Sequence, residues 1–117
     1  MKRFSSLLLI TFIVSLLGAG LLPSENLRAQ DRTAIAIAVK NKRFEPTEIR
    51  APANRPISIQ VKNLDAAPIE FESVSLRVEK VIPPGNTGVV NVRALAPGRY
   101  EFLDDFHQET RGVLIVQ

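Results

Sequence analysis

Short runs of alternating apolar and polar residues, separated by prolines and glycines, decide what this chain can fold into. "ISIQVKNLD" (57–65) and "TAIAIAVK" (33–40) carry apolar side chains at every second position, the pattern of a strand with one packed face. Similar short runs recur as far as "GVLIV" (112–116), and no segment after residue 30 has a long helical period. Seven or eight strands in the 88 residues from Gln30 onward predict an all-β fold, an antiparallel Greek-key β-sandwich.

The first 29 residues have the pattern of a secretory signal peptide. A basic start is followed by an apolar run at 7–22 and by a small residue, Ala29. We therefore predict a leader of residues 1–29, one domain of residues 30–117 and a periplasmic or equivalent exported location. The alternative is an uncleaved membrane anchor, for which the apolar run is slightly short and contains two glycines.

Composition excludes several classes of function. From Gln30 onward the chain has 12 basic and 11 acidic residues, with no basic stripe interleaved with aromatics, so binding to nucleic acid is not expected. Cysteine is absent, which removes thiolate chemistry and any metal site built on cysteine. The single histidine has no recognisable nucleophile partner, so a hydrolase is the least favoured class.

The only histidine lies in an acidic segment before the last predicted strand. In "YEFLDDFHQETRGVLIV" (100–116), Asp104 and Asp105 precede His107. Neutral imidazole and carboxylate are both metal ligands, so a metal site is one interpretation, and a polar loop that includes His107 by chance is the other. The alternative for Asp104 is a loop residue that bonds its own backbone.

A second acidic pair lies in "PIEFES" (68–73). Glu70 and Glu72 are two residues apart on an extended segment, so both should point to one face and Phe71 to the other. The alternative is an ordinary solvated strand face, since charges usually lie in water.

The order of these segments resembles a cupredoxin over nearly the whole domain. The matching motifs are F-x-P-x-x-I-x-A-P, N-L-D-A-A-P, P-G-x-x-x-x-V, and P-G-R-Y-E-F followed by H-x-x-x-x-G-V-L-I-V. The resemblance implies a metal site at the loop before the last strand. Among the blue-copper ligands it retains only His107: Ile69 or Glu70 falls at the first histidine, Asp104 at the cysteine and Thr110 near the methionine. A blue-copper electron-transfer site is therefore excluded.

"APIEFES" and "VEKVIPPG" are similar to the cupredoxin-like domains of bacterial periplasmic iron-uptake proteins, which accompany a high-affinity iron permease. That resemblance implies a site rich in oxygen donors for iron, more than for copper. The resemblance also implies that the protein delivers iron to the permease or assists the oxidation of ferrous iron. The implied metal ligands are Glu70, Glu72, Asp104 and His107, with Glu79 as an outer or alternate ligand.

Two other functions remain open on the sequence. One is a metal-free interaction module whose site was lost during divergence. The other is a cupric-ion-binding protein that uses His107 with carboxylates, because copper has the highest affinity for most nitrogen and oxygen sites. The acidic residues that replace the soft ligands favour a hard-cation site over a decayed one.

Overall fold

The computed structural model describes residues 32–117, which form nine strands. The predicted leader and its boundary lie outside the described residues. The strands are β1 (Thr33–Lys40), β2 (Arg43–Glu45), β3 (Glu48–Ala51), β4 (Ile57–Asn63), β5 (Ile69–Ser73), β6 (Val78–Ile82), β7 (Thr87–Val92), β8 (Gly98–Asp104) and β9 (His107–Val116).

Two sheets make up the predicted sandwich. One has the strand order β2-β1-β4-β7 and the other β3-β9-β8-β5-β6. Most neighbours are antiparallel, as expected, but β1 pairs with β4 and β3 with β9 in parallel. The parallel pairs arise because the chain leaves the first sheet after β2, adds β3 to the second sheet, and returns to the first sheet at β4. Alternation alone carries no information about such crossings.

Three segments differ from the sequence expectation. The prolines of "RFEPTEIRAPANRP" (43–56) predict an edge strand followed by a turn, whereas the structure forms β2 and β3 there, which are edge strands of different sheets. The run "LRVEKVI" (76–82) predicts a strand from Leu76, but β6 starts at Val78, because Leu76 belongs to the turn before β6 and is buried there. The last strand, expected at 112–116, already begins at His107.

The core lies between the inner faces of the two sheets and is centred on three phenylalanines. The ring of Phe102 lies 4.9 Å from Phe44 edge-on and 5.0 Å from Phe71 in a stacked arrangement, measured between ring centroids. Phe71 is fully buried. This packing fixes the strand that carries Glu70 and Glu72, since Phe71 lies between them. Among residues 32–117, no helix has the length and apolar character needed to cross a membrane.

Candidate metal centre

Strand β5 presents two glutamates on the outer face of the five-stranded sheet. Ile69, Phe71 and Ser73 are buried, whereas Glu70 and Glu72 are half-buried, as the period of two predicts. Glu72 lies directly opposite Glu79 of β6 in the antiparallel ladder. Residues opposite each other in such a ladder point to the same face, so Glu79 faces the same surface as the β5 glutamates.

Asp105 completes a cluster of three carboxylates. One ligand oxygen from each of Glu70, Glu72 and Asp105 lies within 4.8 Å of the others. The backbone N–H of Asp105 donates to the carbonyl of Glu70 at 2.8 Å, which holds the β8–β9 turn against the start of β5. Three oxygen donors at this spacing can surround one cation, and carboxylate oxygens suit hard or borderline divalent metals.

Asp104, expected as an inner ligand, is turned away from this cluster. Its side chain is 1% exposed. Its Oδ1 accepts hydrogen bonds from the backbone N–H groups of Glu70 at 2.9 Å and Phe106 at 3.1 Å. Its Oδ2 lies 3.0 Å from Nδ1 of His107. Both oxygens of Asp104 are therefore hydrogen-bonded inside the protein and are not directed at the cluster. Asp105 occupies the place in the cluster that was expected for Asp104.

One feature of the sequence, the alternation along β8, bears on which of the two aspartates joins the cluster. Phe102 points inward and Leu103 outward along β8, so continued alternation turns Asp104 inward and Asp105 outward. Between Leu103 and Asp104, however, the β8–β9 register shifts, because Leu103 pairs with Arg111 whereas Asp104 pairs with His107. A shift of this kind cannot be read from the pattern of apolar residues.

His107 lies beside the same turn but outside the carboxylate cluster. Its ring is bonded through Nδ1 to Asp104 and is 26% exposed. It lines a separate cavity of about 290 Å³ together with Ile69 and the hairpin residue Lys42. Of the two residues expected near the first-histidine position, Ile69 lines the cavity with His107, and Glu70 belongs to the carboxylate cluster. Thr110, near the methionine position, is buried and donates its hydroxyl to the carbonyl of Lys42.

The carboxylates of the cluster shift one another's ionisation. Partial burial, together with the charges of Glu79 and Asp105, raises the pKa of Glu70 from 4.5 to about 6. Partial burial and the carboxylates of Asp105 and Glu79 also raise the pKa of Glu72. Glu79 is thus close enough to act on Glu70, although it lies outside the cluster of three carboxylates. Negative charges held together in this way favour a proton or a cation between them.

We expect the folded protein to become more stable as the pH falls from 7 to 5. A carboxyl whose pKa is higher in the folded state than in the unfolded state binds more protons when folded, so stability is gained between about pH 6 and 4.5. The half-exposed position limits the gain to a few degrees in Tm. Thermal denaturation followed by circular dichroism measures it, and a Tm that falls steadily from pH 7 to 5 would contradict it.

Comparison with known proteins agrees with the sandwich and its motifs. A protein-family model described as a cupredoxin-like domain matches residues 7–116. The chain belongs to this cupredoxin-like family.

A relative and two solved structures show how far the likeness extends. The uncharacterized protein RP394 of Rickettsia prowazekii is 35% identical over 83 residues, which cover 70% of this chain and 66% of that protein. The chain therefore spans slightly less than two thirds of that relative's length. The metal-binding domain of the Cu(I)-exporting P-type ATPase CopA of Streptococcus pneumoniae has a TM-score of 0.66 at 17% identity, covering 72% of this chain and 84% of that one. Auracyanin of Roseiflexus castenholzii has a TM-score of 0.61 at 20% identity, covering 73% and 97%. At these identities the two structures show the shared fold.

Proposed function

We propose that this chain is a periplasmic iron-binding accessory protein of a high-affinity iron uptake system. In this role it captures ferrous iron between Glu70, Glu72 and Asp105, with Glu79 at the rim, and delivers it to an iron permease. The observation that carries the proposal is the convergence of three carboxylates within 4.8 Å on the surface of a cupredoxin-like sandwich.

The chemistry of the donors supports iron over cuprous copper. Copper(I) sites in proteins rely on thiolate and thioether sulfur, and this chain has no cysteine and Met1 as its single methionine. Carboxylate oxygens suit harder cations, including both oxidation states of iron. Partial burial and the nearby charges of Glu79 and Asp105 raise the pKa of Glu70, and a cation bound between the carboxylates relieves the repulsion among them.

The exposure of the site supports delivery. Glu70, Glu72 and Asp105 are half-buried at the outer surface of a sheet, and Glu79 is exposed. A cation held there remains accessible to ligands offered by a partner. Oxidation of ferrous iron would need an electron acceptor as well, so capture and delivery are the activity proposed.

A metal-free interaction module is the second candidate, and one observation favours it. Asp104, which the family resemblance aligns with the cysteine, is buried, and its carboxylate meets two backbone amides and an imidazole. Hydrogen bonds therefore tie together the loop that a metal ties together in blue-copper proteins, and the fold has no need of a cation.

Anaerobic calorimetric titration with ferrous ion at pH 7 distinguishes the two candidates. The iron-carrier role predicts saturable binding of one ion, retained in excess magnesium and weakened below pH 6 as the glutamates take up protons. Cupric ion is a poor probe, because copper has the highest affinity at most nitrogen and oxygen sites.

A cellular measurement tests the pathway itself. Cells that lack this chain should take up ferrous iron more slowly when iron is scarce, and plasmid-borne chain should restore the rate. Absence of ferrous binding together with unchanged uptake would leave the metal-free module as the better account.

A further inference from the structure

Asp104 is the one buried carboxylate among residues 32–117. All of its bonds lead to groups next to the candidate metal centre: the amide of Glu70, the amide of Phe106 and the ring of His107. Burying a carboxylate is costly unless it is well hydrogen-bonded. The burial of the Asp104 carboxylate therefore has to be explained by a role other than packing in the core.

The ladder between β5 and β8 is unusually short. It consists of the pairs Phe71–Asp104 and Glu72–Leu103, and ends just where Glu70 and Asp105 have to meet. Beyond its end, the amide of Asp105 donates to the carbonyl of Glu70, and the amide of Glu70 donates to the side chain of Asp104. The Asp104 side chain thus extends the ladder by one step.

The same carboxylate also closes the turn that carries Asp105. Its Oδ1 accepts the amide of Phe106, two residues further on, and its Oδ2 meets the His107 ring. Phe106 and His107, the two residues that follow Asp105, are thereby held, and Asp105 lies between Asp104 and Phe106. Asp105 and Glu70, which come from distant parts of the chain, are thus held by their own backbone hydrogen bond and by the Asp104 side chain together.

We propose that Asp104 is a positioning residue: through its hydrogen bonds to the amides of Glu70 and Phe106, it sets the distance between Glu70 and Asp105 while leaving the cation to them. This inference rests on the proposed function for its cation. Groups that orient metal ligands from behind are commonly worth about ten- to a hundredfold in metal affinity.

Three substitutions at the same position test the proposal in the purified full chain. Asp104→Asn keeps an oxygen that accepts both amides, whereas Asp104→Ala removes it. Asp104→Ser offers a shorter side chain that does not reach both amides and guards against failure of the alanine variant to fold. The probe is ferrous ion in anaerobic calorimetry, and amide NMR spectra establish that each variant is folded.

We expect ferrous ion binding by Asp104→Asn to differ from that of Asp104→Ala and Asp104→Ser. Asp104→Asn should bind within about threefold of the parent, and Asp104→Ala and Asp104→Ser about tenfold or more weakly. Amide hydrogen exchange at Glu70 should remain slow in Asp104→Asn and become faster in the other two. If the charged Asp104 were itself a metal ligand, Asp104→Asn would bind weakly. Binding close to that of the parent therefore distinguishes a positioning role from a ligand role.

Two results would overturn the inference. One is equal binding by Asp104→Ser and the parent, and the other is an Asp104→Asn variant as weak as Asp104→Ser. Failure of the parent itself to bind ferrous ion counts against the proposed function. In that case the amide hydrogen-exchange rates still test the positioning role of Asp104. If exchange at Glu70 and Phe106 is unchanged in Asp104→Ser, the Asp104 side chain does not hold the turn.

Discussion

Replacement of Glu70 and Glu72 together by glutamine is expected to remove ferrous iron binding and, at the same time, to stabilise the protein at pH 7. Two of the three clustered carboxylates become neutral amides, which are weak ligands for iron. We expect a loss of about a hundredfold or more, since even outer partners of metal ligands are worth about ten- to a hundredfold. The partial burial of a charged group and the repulsion from neighbouring carboxylates, which together raise the pKa of Glu70, no longer oppose folding, so Tm at pH 7 should rise.

A matched control separates the site from a general change in charge. The variant Glu48→Gln/Glu109→Gln also removes two negative charges, but from exposed positions outside the cluster. It should bind ferrous ion as the parent does, and its Tm should depend on pH as in the parent. If both double variants bind equally well, the carboxylate cluster is not the iron site.

Substitution of Phe71 by alanine is expected to cost about 3–5 kcal/mol of unfolding free energy, the range typical of a fully buried phenylalanine. Phe71 is 0% exposed and packs against both Phe44 and Phe102. A small domain has a total stability of about 5–15 kcal/mol, so this loss is a substantial share of the stability of the fold. Urea denaturation followed by circular dichroism measures the loss.

Val74→Ala is the control for Phe71→Ala. Val74 follows β5 in the same segment but is 87% exposed. Its truncation should change stability by no more than about 0.5 kcal/mol. A Phe71→Ala variant that loses less than about 1 kcal/mol would show that the phenylalanine cluster does not anchor β5.

The sequence predicted the parts of the structure that follow from alternation. The apolar residue between two glutamates points inward, so Glu70 and Glu72 share the outer face, and the short strands form a sandwich. The confirmed family membership agrees with the same motifs. These features depend on residues close together in the chain, which is why a single sequence reveals them.

The remaining features depend on how distant segments align. The opposition of Glu72 and Glu79 follows from strand register, and the inward turn of Asp104 follows from alternation across a register shift. The sequence places Asp104 and Asp105 side by side, and alternation along β8 favours Asp105 as the outward residue only if it continues across the register shift, which the structure shows that it does. For the same reason His107, adjacent to both aspartates in sequence, faces the cavity beside Ile69.

Anomalous diffraction at the iron edge, from crystals grown anaerobically with ferrous ion, locates the bound metal directly. We expect one peak within bonding distance of the carboxylates of Glu70, Glu72 and Asp105, with Nε2 of His107 outside the coordination sphere. A peak on His107 in the cavity beside Ile69, with the three carboxylates unoccupied, would contradict it.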